Sequence, residues 1–95
     1  MAGYKKIDRG EAESLALRTL SYIASDGDRL NRFLGVTGLS PETIRQSAAS
    51  PGFFAAVLDY VAADESLLIE LSRFLEAKPE DIMEAHRTLS PQEFD

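Results

Sequence analysis

Pro51-Gly52-Phe53-Phe54-Ala55-Ala56-Val57-Leu58-Asp59-Tyr60-Val61-Ala62-Ala63 is the stretch that decides the fold. Phe54, Val57, Leu58 and Val61 recur at the spacing of one helix face, and Phe53, Ala55, Ala56, Tyr60, Ala62 and Ala63 fill the other sides. The run is too long for a strand and contains one charge, Asp59. A helix apolar nearly all round is buried on most sides, so other helices are expected to wrap it.

Working outward, the neighbours supply such helices, each with its own punctuation. Asp8 followed by Glu11 reads as a capping box, and Ala12, Leu15, Ala16, Thr19, Leu20 and Ile23 extend a helix from about Arg9 to Ser25. Gly27 breaks it, and Asp28 is available to cap a second helix that carries Leu30, Phe33 and Leu34 to about Gly35. Ser40-Pro41 and Ser50-Pro51 place a serine acceptor before a proline that has no amide to leave unpaired, starting helices near 41–49 and 51–63. Asp64 caps a fifth helix with Leu67, Leu68, Leu71, Phe74 and Leu75 inward. Lys78-Pro79 closes that helix and opens a sixth with Ile82, Ala85 and Leu89 inward. Alternating β-branched runs and hairpin signals are missing. The expectation is an all-α single domain of about six helices over residues 9–89. Residues 1–8 and 90–95 are read as tails, with Phe94 available to dock.

An internal match runs through the chain. Shifted by 41 positions, Arg32-Phe33-Leu34 falls on Arg73-Phe74-Leu75, Leu30 on Leu71, Leu17 on Leu58 and Leu20 on Val61. With three residues taken from the loop, Pro41-Glu42-Thr43-Ile44 falls on Pro79-Glu80-Asp81-Ile82. One reading is a duplicated three-helix unit around the central helix. The other is that two amphipathic hairpins need similar caps and spacing.

Composition excludes several function classes. The chain has 95 residues, 44% of them hydrophobic and 27% charged, which suits one modest globular core. It has no cysteine, so disulfides, thiolate catalysis and cysteine-based zinc sites are ruled out. Its net charge of -6 argues against broad contact with nucleic-acid phosphates or anionic lipid. Lys5 and Lys6 are followed by no apolar segment of the kind a signal peptide needs, and no run approaches a membrane span. A cytoplasmic protein is expected.

Candidate chemistry is sparse. His86 is the single histidine; it could act as general base or pH sensor, but a place at the core margin with a local partner explains it better. Asp26-Gly27-Asp28 resembles part of a calcium loop, yet Leu30 stands where a ligand is needed, and the segment reads as a helix–helix turn. The paired carboxylates, such as Glu11 with Glu13 and Glu80 with Asp81, fall in first helical turns, where they suit the macrodipole. No catalytic set, metal site or cofactor is expected.

Two surfaces remain as candidates. Gly38-Leu39-Ser40-Pro41-Glu42-Thr43-Ile44-Arg45 resembles the turn and recognition-helix start of bacterial helix-turn-helix proteins, which would turn Thr43, Arg45 and Gln46 toward DNA. Against this, Gly35 interrupts the first helix, Ser50-Pro51 stops the second, and Arg29, Arg32 and Arg45 are balanced by Asp26, Asp28 and Glu42. The other surface is apolar. Phe53 and Tyr60 are seven residues apart on one face, and Ile69 points away from its helix's inward stripe, so these three could form a patch for a protein partner or homodimer. The leading expectation is a non-enzymatic interaction or adaptor module. The alternative is a DNA-binding regulator using residues 28–49.

Over Leu17 to Leu89 the chain also resembles domain-of-unknown-function family 3572, a small uncharacterised helical family typical of alphaproteobacteria. Leu34-Gly35-Val36-Thr37-Gly38-Leu39, Ala49-Ser50-Pro51-Gly52-Phe53, and Phe74-Leu75 through Pro79-Glu80-Asp81-Ile82 carry the resemblance. It implies a compact helical domain of bacterial cytosolic origin and brings no catalytic residues.

Overall fold

Side-chain caps, with a glycine stop at Gly38, divide the chain into its elements. The structure is a computed structural model that describes residues 7–47 and 51–90. Within them lie six helices and no strand: α1 (Arg9–Ala24), α2 (Gly27–Thr37), α3 (Pro41–Ser47), α4 (Pro51–Ala62), α5 (Glu65–Leu75) and α6 (Pro79–Leu89). At the start of α1, the Glu11 amide donates to Asp8 Oδ1 (2.8 Å) and the Asp8 amide to Glu11 Oε1 (3.2 Å), completing the capping box. Ser40 Oγ accepts from the Thr43 amide (3.1 Å), and Asp64 Oδ1 accepts from the Leu67 amide (3.1 Å). Pro79 opens α6 after Lys78, which makes no side-chain cap. Ser50 and Phe94 lie outside the described residues.

The second helix departs from expectation at both ends. Its cap is Asp26, which accepts from the amides of Asp28 (2.8 Å) and Arg29 (3.3 Å), so Gly27 is the first helical residue and not a break. Nor does α2 stop at Gly35. A glycine ends a helix where a positive φ is needed, and that position is Gly38, with φ of 76° and its amide on Leu34 O at 2.9 Å. Gly35 sits inside the helix, at some cost in propensity. The Gly35 objection to a helix-turn-helix reading therefore falls; the charge objection stands.

The core forms around α4. Val57, Leu58 and Val61 are fully buried, joined by Ile23, Phe33, Leu71 and Ile82 from the surrounding helices. Helix α4 packs on α1, α5 and α6, while α1 also packs on α2, α5 and α6. Arg18 Nη2 reaches Leu75 O (3.3 Å), tying α1 to the end of α5, and Thr88 donates to Ile7 O (3.1 Å). One stripe of α4 stays open: Gly52, Ala56 and Asp59 are exposed, as is Ala63 just past its end. Helix α2 packs closely only on α1, and it reaches α4 through Phe33, whose ring meets Tyr60 edge-on at 5.0 Å.

Candidate functional site

The opening between α2 and the α4–α5 pair is a concave surface beside exposed apolar side chains. Two adjoining clefts, of about 210 and 480 Å³, share Arg32, Tyr60 and Asp64. Tyr60 forms the floor, held by the Phe33 ring beneath α2. Positions 29, 32 and 36 of α2 share a helix face and make one wall. Ala56 and Asp59 of α4, with Ala63 just past its end, make the other and are continued along α5 by Ser66, Leu67 and Glu70. Val36, which borders the wider cleft, is 68% exposed, the most open large apolar side chain described.

Charge is sorted across this groove. The charged side chains on the α2 wall are Arg29 and Arg32; those opposite are Asp59, Asp64 and Glu70. Arg29 is already engaged. Its guanidinium lies 4.1 Å from the Tyr22 ring centroid, donates to Tyr22 O and Ser25 Oγ, and pairs with Asp26 at 3.8 Å. Tyr22 in turn donates to Glu70 Oε1 (3.3 Å). Burial pushes the Tyr22 phenol above its ordinary pKa; Arg29 opposes this, and Glu70, by charge and hydrogen bond, adds to it. Arg32 makes no ion pair or hydrogen bond among the described residues.

The three apolar residues singled out by spacing separate. Phe53 is buried against Phe54, ring centroids 5.9 Å apart, so it belongs to the core and leaves the patch. Helical periodicity set it beside Tyr60 but could not say that neighbouring helices cover that part of the face. Tyr60 is half-buried in the groove floor. Ile69 is 41% exposed but does not line the groove, whose α5 wall is Ser66, Leu67 and Glu70. Val36 was not read as a surface residue because α2 was expected to end at Gly35, and Arg32 was weighed only in a charge balance. Continued for another half turn, the helix puts a lone valine on its polar face, which is the missed signal.

His86 Nε2 lies 3.2 Å from Asp59 Oδ1, so its partner sits across the α4–α6 contact and is not a local residue of its own helix. Ser90 borders the same cleft as this pair, but its hydroxyl donates to His86 O (2.7 Å), and no serine bonds the His86 ring among the described residues. No cluster of three or more metal-ligating side chains occurs among the described residues. None of their buried side-chain nitrogens or oxygens lacks a partner either, so no polar atom in the core points at a missing ligand. Arg45 and Gln46 are exposed on the seven-residue α3, whereas the Thr43 hydroxyl is engaged with Ser40 Oγ at 2.9 Å. No described helix is long and apolar enough to cross a membrane.

Comparison with known proteins gives a family and nothing finer. Residues 9–92 match the family described as "Protein of unknown function (DUF3572)". No curated protein and no solved structure matches the chain.

Proposed function

Since the chain belongs to this family of unknown function, we propose from its geometry that it is a non-enzymatic protein–protein interaction module. In this reading it docks a partner in the groove between α2 and the α4–α5 pair. The observation that carries the reading is the position of Val36, 68% exposed on the rim of a concave surface floored by a half-buried tyrosine. A single exposed valine on a convex surface would be ordinary; beside a groove it is an apolar group that a partner can bury. The proposed setting is the bacterial cytosol, in keeping with a chain that lacks cysteine.

A photo-crosslinking residue at position 36 tests the reading in cells. The expected result is a discrete adduct with one polypeptide, lost when Tyr60→Glu is added and absent when the probe replaces exposed Ser14 on α1. Identical adducts from positions 14 and 36, or none from either, would overturn it. A mixed-sequence DNA duplex is expected to show no appreciable binding at physiological salt. Micromolar binding that weakens steeply with salt, and weakens further in Arg45→Ala, would favour a DNA-binding α3 instead.

A further inference from the structure

Resting on the docking reading, we propose that the occupant of the groove is an amphipathic helix of a partner protein, carrying carboxylates on the flank that meets α2 and cationic groups on the flank that meets α4 and α5. The sorting of charge supports this. In a chain of net charge -6, the α2 wall presents Arg29 and Arg32, and the facing wall presents Asp59, Asp64 and Glu70. A ligand with one sign of charge throughout meets repulsion from one wall; a ligand with opposite flanks meets attraction from both. Arg32 contributes most, because it has no partner among the described residues, whereas Arg29 is held by Asp26 and the Tyr22 ring, and Asp59, Glu70 and Asp64 each already meet one group, His86, Tyr22 and the Leu67 amide.

The occupant is a helix for a backbone reason. Strand addition needs an open sheet edge, and the described residues contain no strand; a groove walled by helices suits the helix-in-groove mode, in which apolar anchors at helical spacing enter the cleft. The walls are helices whose own backbone groups are paired along the helix. A helical peptide satisfies its own backbone and asks only side-chain contacts of these walls. Ala56 and Ala63 on one wall lie seven residues apart, about 10 Å of helix, enough to face roughly two turns of a ligand. Apolar side chains at i, i+3 or i+4, and i+7 would meet Tyr60, Val36 and Leu67.

Three synthetic helical peptides with the same leucine stripe test the proposal by fluorescence anisotropy on the full chain. One has glutamate on one flank and lysine on the other, one has glutamate on both, and one has lysine on both. The mixed peptide is expected to bind about tenfold more tightly than either single-sign peptide. With Arg32→Glu, the all-lysine peptide becomes the tightest; Arg32 is exposed, and Arg32→Gln serves as the milder variant. Equal affinities for all three overturn the charge assignment while leaving the groove as a docking site. Failure of all three to bind, with the crosslink from position 36 intact, overturns the helical occupant. Failure of both removes the docking reading itself. Self-association over the same concentrations, abolished by Val36→Glu, gives the groove to a second copy and overturns the partner helix.

Discussion

Leu58 of α4 is fully buried, whereas Leu17 of α1, its counterpart 41 positions earlier, is 52% exposed. The aromatic pair reverses the order: Phe33 of α2 is fully buried, and Phe74 of α5 is 59% exposed. Ile82 is enclosed in α6, but Ile44, at the matching place in α3, is only partly covered. The two halves thus share a pattern of residues and spend it differently. Helices α4, α5 and α6 pack on one another, so the second half is enclosed by its own helices and by α1. In the first half α2 packs closely only on α1, and α3 makes no comparably close packing with any helix. A triplet such as Arg-Phe-Leu makes a helix in both places, and the neighbours decide which side of it is inside. The groove exists because the halves are unequal, since a tightly packed α2 would have filled it.

The widest test of this difference is the phenylalanine pair. Phe33→Ala is expected to cost about 3–5 kcal/mol, as for a large buried aromatic. Phe74→Ala should cost about 0.5–1.5 kcal/mol, chiefly for the stack on Tyr22 at a centroid distance of 4.8 Å. Denaturant midpoints at constant m-value measure both. Equal losses would mean that the matched positions are equivalent after all.

The leucine pair gives the next contrast. Leu58→Ala should lose about 2–5 kcal/mol, and Leu17→Ala should stay within about 0.5 kcal/mol of the parent. Caps sharpen the comparison from the other side, because a cap is a local device. Asp26→Ala in the first half and Asp64→Ala in the second should each cost about 1 kcal/mol in thermal or denaturant unfolding, whichever half they serve. A much smaller loss at Asp26 would show that α2 contributes little to the cooperative unit.

The smallest expected effect is electrostatic and joins the halves at Tyr22. Its phenol holds its proton to higher pH in the folded chain than in the unfolded one, because burial disfavours the phenolate. Above the ordinary tyrosine value, about 10, the unfolded state therefore binds fewer protons than the folded state, and stability falls as pH rises through the folded value. Tyr22→Phe should flatten that alkaline slope relative to the parent in urea titrations. An unchanged slope would place its origin in the other tyrosines or the lysines.

Much of this architecture was legible because it is written in short range. Asp8 with Glu11, Ser40, Asp64 and Pro79 start helices through contacts within three residues, so their types and spacing suffice. The buried α4 was readable from composition alone, since an apolar surface on nearly all sides leaves no other place for it. The misses are of another kind. Gly35 and Gly38 are the same residue type three positions apart, and only Gly38 takes the left-handed conformation that ends α2. Asp26 and Asp28 both flank Gly27, and backbone direction selects Asp26 as the cap.

Sequence by itself determined that this chain is helical, where most of its helices begin, and that α4 is the centre, because capping and periodicity act within a few residues. Tertiary structure alone decided that Phe53 is covered, that Val36 is open and that His86 meets Asp59. It also set two arginines opposite three carboxylates across Tyr60. Those outcomes depend on how far one helix stands from another. Interhelical spacing is the joint result of all the side chains packed between the helices, and no local pattern encodes it.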